Sequence, residues 1–162
     1  MRLLAEGAEP TGLIGLLRSY AYDNRTRYHE SWLGDLWTRA QDPTPEHFIA
    51  RGWDECLEIL EPPPGRPCAP SRPRPTPAWP RGRAGIAEEA LATGLLCFLL
   101  FVDEPLTALR RAACTSGDSD SIACLAGAFA GAYLGADAWP ADWASRIEYR
   151  DELLTLGTLW DA

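Results

Sequence analysis

Apolar residues recur along this chain at helical spacing. Leu33, Leu36, Trp37 and Ala40 fall at i, i+3, i+4 and i+7, which predicts one amphipathic helix over residues 28–40. A second helix is signposted at its start. Thr44 is a capping residue, Pro45 suits the first helical position and Glu46 suits the positive end of the helix dipole. Ile49, Trp53, Cys56, Leu57 and Leu60 then form its apolar stripe, and Pro62 stops it. Ahead of these helices only Leu13 to Leu17, apolar, and the turn-like Asp23-Asn24 are legible.

Further on, residues 86–101 are apolar nearly all round beyond Glu88 and Glu89, the mark of a helix buried on most sides. Glu88 and Glu89 read as its solvated first turn. Asp103-Glu104-Pro105 opens another helix, carrying Leu106 and Leu109 and ending near Cys114. A third runs over residues 122–134. Its glycines, Gly127 and Gly131, with Gly135 after them, recur every four residues among alanines. Each glycine costs about 1 kcal/mol relative to alanine, so the stripe predicts a helix packed very closely against it. Trp139-Pro140 begins a last helical region, with Trp143, Ile147, Leu154 and Leu159 as apolar anchors. No alternating strand pattern of useful length occurs, so the predicted class is all-α.

Composition changes this picture at one place. Residues 62–80 hold nine of the 14 prolines, and residues 62–87 hold five arginines and no acid. Proline removes a backbone donor and clashes with the preceding turn, so neither a helix nor a central strand is expected there. The chain thus divides into a helical block at 1–61, a Pro/Arg-rich linker or loop at 62–85 and a second helical block at 86–162. For the middle stretch a flexible loop, a Pro/Arg recognition tract and a locally out-of-frame sequence all remain open.

Fifteen arginines, no lysine and 23 acids over 162 residues give a net charge of -8. That balance argues against a nucleic-acid surface or an anionic membrane surface as partner. The longest apolar runs fall short of the roughly 20 residues a membrane span needs. No secretory leader is evident after Met1, and the five cysteines, at 56, 68, 97, 114 and 124, contain no C-x-x-C, so the expected location is cytoplasmic. Cys97 and Cys124 lie within apolar helical patterns and are expected to pack in the core. His29 and His47 read as surface or capping histidines, and Trp32, Trp37 and Trp53 as core.

Candidate chemistry concentrates in Thr115-Ser116-Gly117-Asp118-Ser119-Asp120-Ser121, directly before the small-residue helix. One helix start needs one capping side chain, whereas this loop carries two carboxylates and four hydroxyls. Two readings remain: an over-provided cap, or a site for a hard cation, which oxygen-only ligands select over zinc or copper. An EF-hand starting at Asp118 fails, because Ala123 and Phe129 stand where glycine and glutamate are required. A phosphatase-type D-x-D would follow a hydrophobic strand, and Arg110-Arg111-Ala112-Ala113-Cys114 is none.

The run Gly117-Asp118-Ser119-Asp120-Ser121-Ile122-Ala123, continued by Gly127-Ala128, Gly131-Ala132-Tyr133, Gly135 and Trp139-Pro140, resembles the C-terminal signature of the ADP-ribosylglycohydrolase family, which includes the dinitrogenase reductase-activating glycohydrolases. The resemblance spans residues 86–160. It implies a compact all-α globule that hydrolyses the glycosidic bond linking ADP-ribose to a modified protein or small molecule, with magnesium as cofactor, two ions in a complete site, and manganese as a substitute. Carried over by motif, Asp118, Asp120 and Ser121 match the metal ligands, and Gly117 matches the turn that substrate approaches. Ser119 and Ser121 replace the commoner threonines, and Ser116 replaces the first glycine of the motif. The Ser/Thr-Asp-Asp cluster and the Gly-Asp-x-x-Gly stretch that family members bring from their N-terminal half have no match here, and Asp54-Glu55 is the only adjacent acidic pair before the linker. The chain is therefore expected to be the C-terminal half of a longer domain, with its catalytic residue unassigned. A non-catalytic helical remnant kept for interaction or ligand binding is the competing expectation.

Overall fold

Thr44 does what its position predicts. Its Oγ1 accepts the backbone N–H of His47 at 3.1 Å, and the helix that follows, α5, covers Pro45–Leu60. In the computed structural model, residues 1–60, 87–115 and 117–160 are described. The Pro/Arg-rich stretch at 62–85 with its Cys68, the helix stop at Pro62, Ile86 and the loop residue Ser116 lie outside them. The other described helices are α1 (Arg2–Ala5), α2 (Leu13–Asn24), α3 (Glu30–Leu33), α4 (Leu36–Arg39), α6 (Ala87–Leu100), α7 (Pro105–Ala113), α8 (Ser119–Leu134), α9 (Ala141–Ala144) and α10 (Arg150–Trp160). Among the described residues there is no strand, and the fold is all-α.

The core is built on α6. This helix packs against α5 on one side and against α7 and α8 on the other, while α1 also reaches α8. Phe98 is fully buried at the centre, stacked on Phe129 with centroids 6.3 Å apart and edge-on to Tyr133 at 6.0 Å. Leu4, Leu13, Cys56 and Leu60 from the first block join Leu95, Phe98 and Phe129 from the second in one apolar cluster. The two blocks thus share a core. A smaller cluster of Cys97, Ala112, Ile122 and Ala126 lies where α6, α7 and the first turns of α8 meet.

Several expectations need correction. The single helix over 28–40 is two short turns, α3 and α4, because Gly34 takes φ +55° and ends the first of them. The Tyr28 hydroxyl donates to the Gly34 carbonyl at 2.8 Å and holds that reversal. Leu33 and Leu36 therefore do not share one face, and Trp32 is 80% exposed instead of core. Cys97 is buried as expected, but Cys124 is exposed on the outer side of α8.

The closest helix approach lies elsewhere than the glycine stripe. A Cβ on Gly127 would meet Leu109 Cδ1 at 3.5 Å and one on Gly131 would meet Trp139 Nε1 at 3.6 Å, both ordinary contacts, and Gly135 faces open space with φ +79°. Gly94 of α6 is the tight position: a Cβ there would stand 2.7 Å from Leu125 Cβ, 3.2 Å from the Ile122 carbonyl oxygen and 3.3 Å from the Ala126 nitrogen. Trp143, Ile147, Leu154 and Leu159, on α9, the segment after it and α10, are exposed instead of anchored in the core, although Trp143 stacks on Trp139 with centroids 6.2 Å apart.

Candidate functional site

The helix that carries the candidate loop begins three residues earlier than its apolar pattern indicates, at Ser119, with Asp118 as its cap. Asp118 Oδ1 accepts the Ser121 amide at 3.4 Å, and the Ile122 amide donates to the Asp118 carbonyl at 3.2 Å. Asp120 and Ser121 consequently sit in the first turn of α8, beside the cap. One helix start therefore brings together Asp118, Asp120 and Ser121. Gly117 is half-buried in the same loop, as are Asp118, Ser119 and Ser121, whereas Asp120 is exposed.

The electrostatics favour the ionised form of the cap. Hydrogen bonds that it accepts from the Asp120 carboxyl, then from the Ser121 hydroxyl and amide, hold the Asp118 carboxyl below the ordinary carboxylate range. The exposed positive end of α8 acts in the same sense. Beneath the loop the packing is dry, with Ala112, Ile122 and Ala126 all but inaccessible. Thr115 Oγ1, at the entrance to the loop, is buried with no hydrogen-bond partner among the described residues.

The donor chemistry of this loop fits a hard divalent cation: carboxylate and hydroxyl oxygens only, with two carboxyl groups held close. Magnesium is commonly bound through one or two carboxylates, with waters and substrate phosphates completing its octahedron. No group of three or more His, Cys, Asp or Glu side chains suited to a metal occurs among the described residues. The loop therefore fits such a cation in kind, and its three residues would fill only part of a coordination shell.

The remaining sequence candidates are engaged elsewhere. Asp54 forms a two-pronged ion pair with Arg25 at 2.5 Å, and Glu55 pairs with Arg51 at 2.9 Å, so neither is a spare carboxylate for the loop. Glu88 and Glu89 are half-buried in the first turn of α6, where the Glu88 carboxylate lies over Gly52. Together with burial, that charge pushes the Cys56 thiol up to about 11, burial being the larger cause. His29 stacks on Trp32 at 4.7 Å.

One polar cluster escaped the sequence reading. Asp42 is buried and accepts from Arg51 Nη2 at 2.8 Å, with His47 Nδ1 at 2.7 Å from its other oxygen. The Arg51 guanidinium, and after it His47, hold the Asp42 carboxyl below its ordinary range against the opposing effect of burial. The spacing of Asp42, His47 and Arg51, set on either side of the Thr44 cap, was the signal available. Its role is to fasten the entry of α5. An open hollow of about 490 Å³ between α9 and α10, lined by Ala141, Ser145, Tyr149, Arg150 and Glu152 among others, includes no residue of the loop.

The family model described as ADP-ribosylglycohydrolase matches residues 5–162, which takes in the first helical block as well as the loop. No curated protein and no solved structure matches the chain.

Proposed function

The chain belongs to the ADP-ribosylglycohydrolase family, and from that premise we propose that it carries one side of a magnesium site for hydrolysing ADP-ribosyl glycosidic bonds on proteins or small molecules. Asp118, Asp120 and Ser121 are the residues that would hold the cation, and Gly117 is the point at which substrate passes the loop. The observation that carries this reading is the meeting of two carboxylates and a hydroxyl on the first turn of α8, in a chain matched to the family across that turn.

The residues have distinct tasks in this scheme. Asp118 both caps α8, accepting the Ser121 amide on one of its oxygens, and presents charge at the start of that helix. Asp120, exposed beside it, faces outward to receive a ligand. The apolar floor of Cys97, Ala112, Ile122 and Ala126 excludes water from behind the loop and stiffens it. A bound magnesium would supply Lewis-acid polarisation of ribose hydroxyls and charge for orienting the diphosphate. Tight binding of two ions requires more oxygens than these three residues offer, so the proposal includes a second set of ligands, and the catalytic base, from sequence beyond the described residues.

Binding of Mn2+, followed by its EPR signal, tests the site. The chain is expected to bind weakly and saturably, and Asp120→Asn is expected to abolish binding, because a neutral amide cannot offset the cation's charge. Binding unchanged in Asp120→Asn would overturn the assignment and favour the non-catalytic reading, in which the loop is only a cap.

A further inference from the structure

We infer that Gly94, remote from the loop in sequence, is a positioning residue for the candidate cation site. The inference rests on the reading of Asp118, Asp120 and Ser121 given above and adds a residue of α6 to it.

Gly94 touches the second turn of α8 along its backbone. The atoms that an added Cβ would meet are Leu125 Cβ, the Ile122 carbonyl oxygen and the Ala126 nitrogen, none of which can swing aside as the tip of a flexible side chain can. Ile122 is bonded in turn to the loop, its amide donating to the Asp118 carbonyl at 3.2 Å, while the Ser121 amide donates to the Asp118 carboxylate. Loop, first turn and second turn are thus one hydrogen-bonded piece resting on Gly94. From the other side Ala112 of α7, also without accessible surface, packs with Ile122 and Ala126. The start of α8 is held between α6 and α7 by contacts that have no slack.

Among the described residues, the other helical glycines do not do this. Gly127 and Gly131 lie farther along α8, and both have ordinary room for a Cβ. Gly52 is tight only against the Glu88 side chain, between α5 and α6. Adding a methyl group at residue 94 presses on the Ile122 carbonyl and the Ala126 amide and, through the bond from the Ile122 amide to the Asp118 carbonyl, distorts the turn that sets Asp118 against Asp120 and Ser121.

The test compares Mn2+ affinity, read by EPR, in the full chain and in Gly94→Ala, with Phe129→Leu as a variant that disturbs the core at the other half of α8. Gly94→Ala is expected to bind about tenfold more weakly, the size of effect known for residues that orient metal ligands. Phe129→Leu is expected to keep the wild-type affinity at a temperature where it is folded. A Gly94→Ala/Gly127→Ala double variant, in which the second change restores helix stability, is expected to keep the weakened affinity. Wild-type affinity in either Gly94→Ala chain overturns the positioning role and leaves the site reading intact. Absence of Mn2+ binding by the wild-type chain overturns the site reading, and the inference with it. Should both Gly94→Ala chains fail to fold, Gly94 is a folding residue alone and the inference is likewise overturned.

Discussion

Replacing Gly94 by alanine should destabilise the fold, although the same change elsewhere in a helix stabilises it. The propensity gain is about 1 kcal/mol, because glycine is that much less favourable than alanine within a helix. Against it stands a methyl group 2.7 Å from Leu125 Cβ and about 3.2–3.3 Å from two backbone atoms of α8. Carbon atoms settle about 3.5–4.0 Å apart, so α6 and α8 must separate by roughly 1 Å. Overpacking of this kind typically costs about 1–3 kcal/mol, and here backbone must move, which favours the upper part of that range or beyond. The net expectation is a loss of about 1–2 kcal/mol. Gly127→Ala is the internal contrast. Its Cβ would meet Leu109 at 3.5 Å, an ordinary contact, so the propensity gain of up to about 1 kcal/mol should survive. Urea unfolding followed by circular dichroism measures both, and each kcal/mol corresponds to a shift of about 2–4 °C in Tm for a chain of this size. Gly94→Ala as stable as the wild type, or more so, would refute the argument that α6 and α8 are in backbone contact there.

Acid stability should depend on Asp42. Its folded pKa lies below the unfolded value of about 3.9, so its contribution is complete above that pH and is lost as the pH falls through the folded value. The wild type should therefore lose more stability than Asp42→Asn between pH 5 and pH 2, as read from urea midpoints; parallel losses would show that Asp42 is not held by Arg51 and His47 in solution. Cysteine labelling of the native chain, mapped by mass spectrometry, should modify the exposed Cys114 and Cys124 before Cys56 and Cys97. Early modification of Cys56, which is buried and whose thiol is shifted up to about 11, would contradict the packing of α5 on α6.

Local physics made part of this structure legible from the sequence. Thr44-Pro45-Glu46 announces a helix because a cap, a first-turn proline and an acid act within one turn, and α5 starts there. Asp118 likewise acts as a cap on its own neighbour, Ser121. What failed depended on a backbone turn that the apolar pattern does not record, or on what stands opposite a residue in the fold. The stripe through Leu33, Leu36 and Trp37 persists in the letters whether or not Gly34 turns left-handed, and the structure takes the turn. Three glycines at regular spacing attract attention, yet close approach depends on what stands opposite, and it is the lone Gly94 that faces backbone. Asp42 is buried with Arg51, nine residues on, and His47 reaching back to it. The leucines of α10 show apolarity in the sequence but not whether anything lies against them, and they are exposed.

The central claim is that Asp118, Asp120 and Ser121 form one side of a cation site that needs a second side to act. It is tested most directly by joining this chain, as a fusion or in trans, to the N-terminal half of an ADP-ribosylglycohydrolase and assaying release of ADP-ribose from a modified protein. Alone, the chain should release none; combined, it should hydrolyse in a magnesium-dependent manner, and Asp120→Asn should abolish that activity. Turnover by the chain alone would contradict the need for a second side, and restored turnover indifferent to Asp120→Asn would contradict the site.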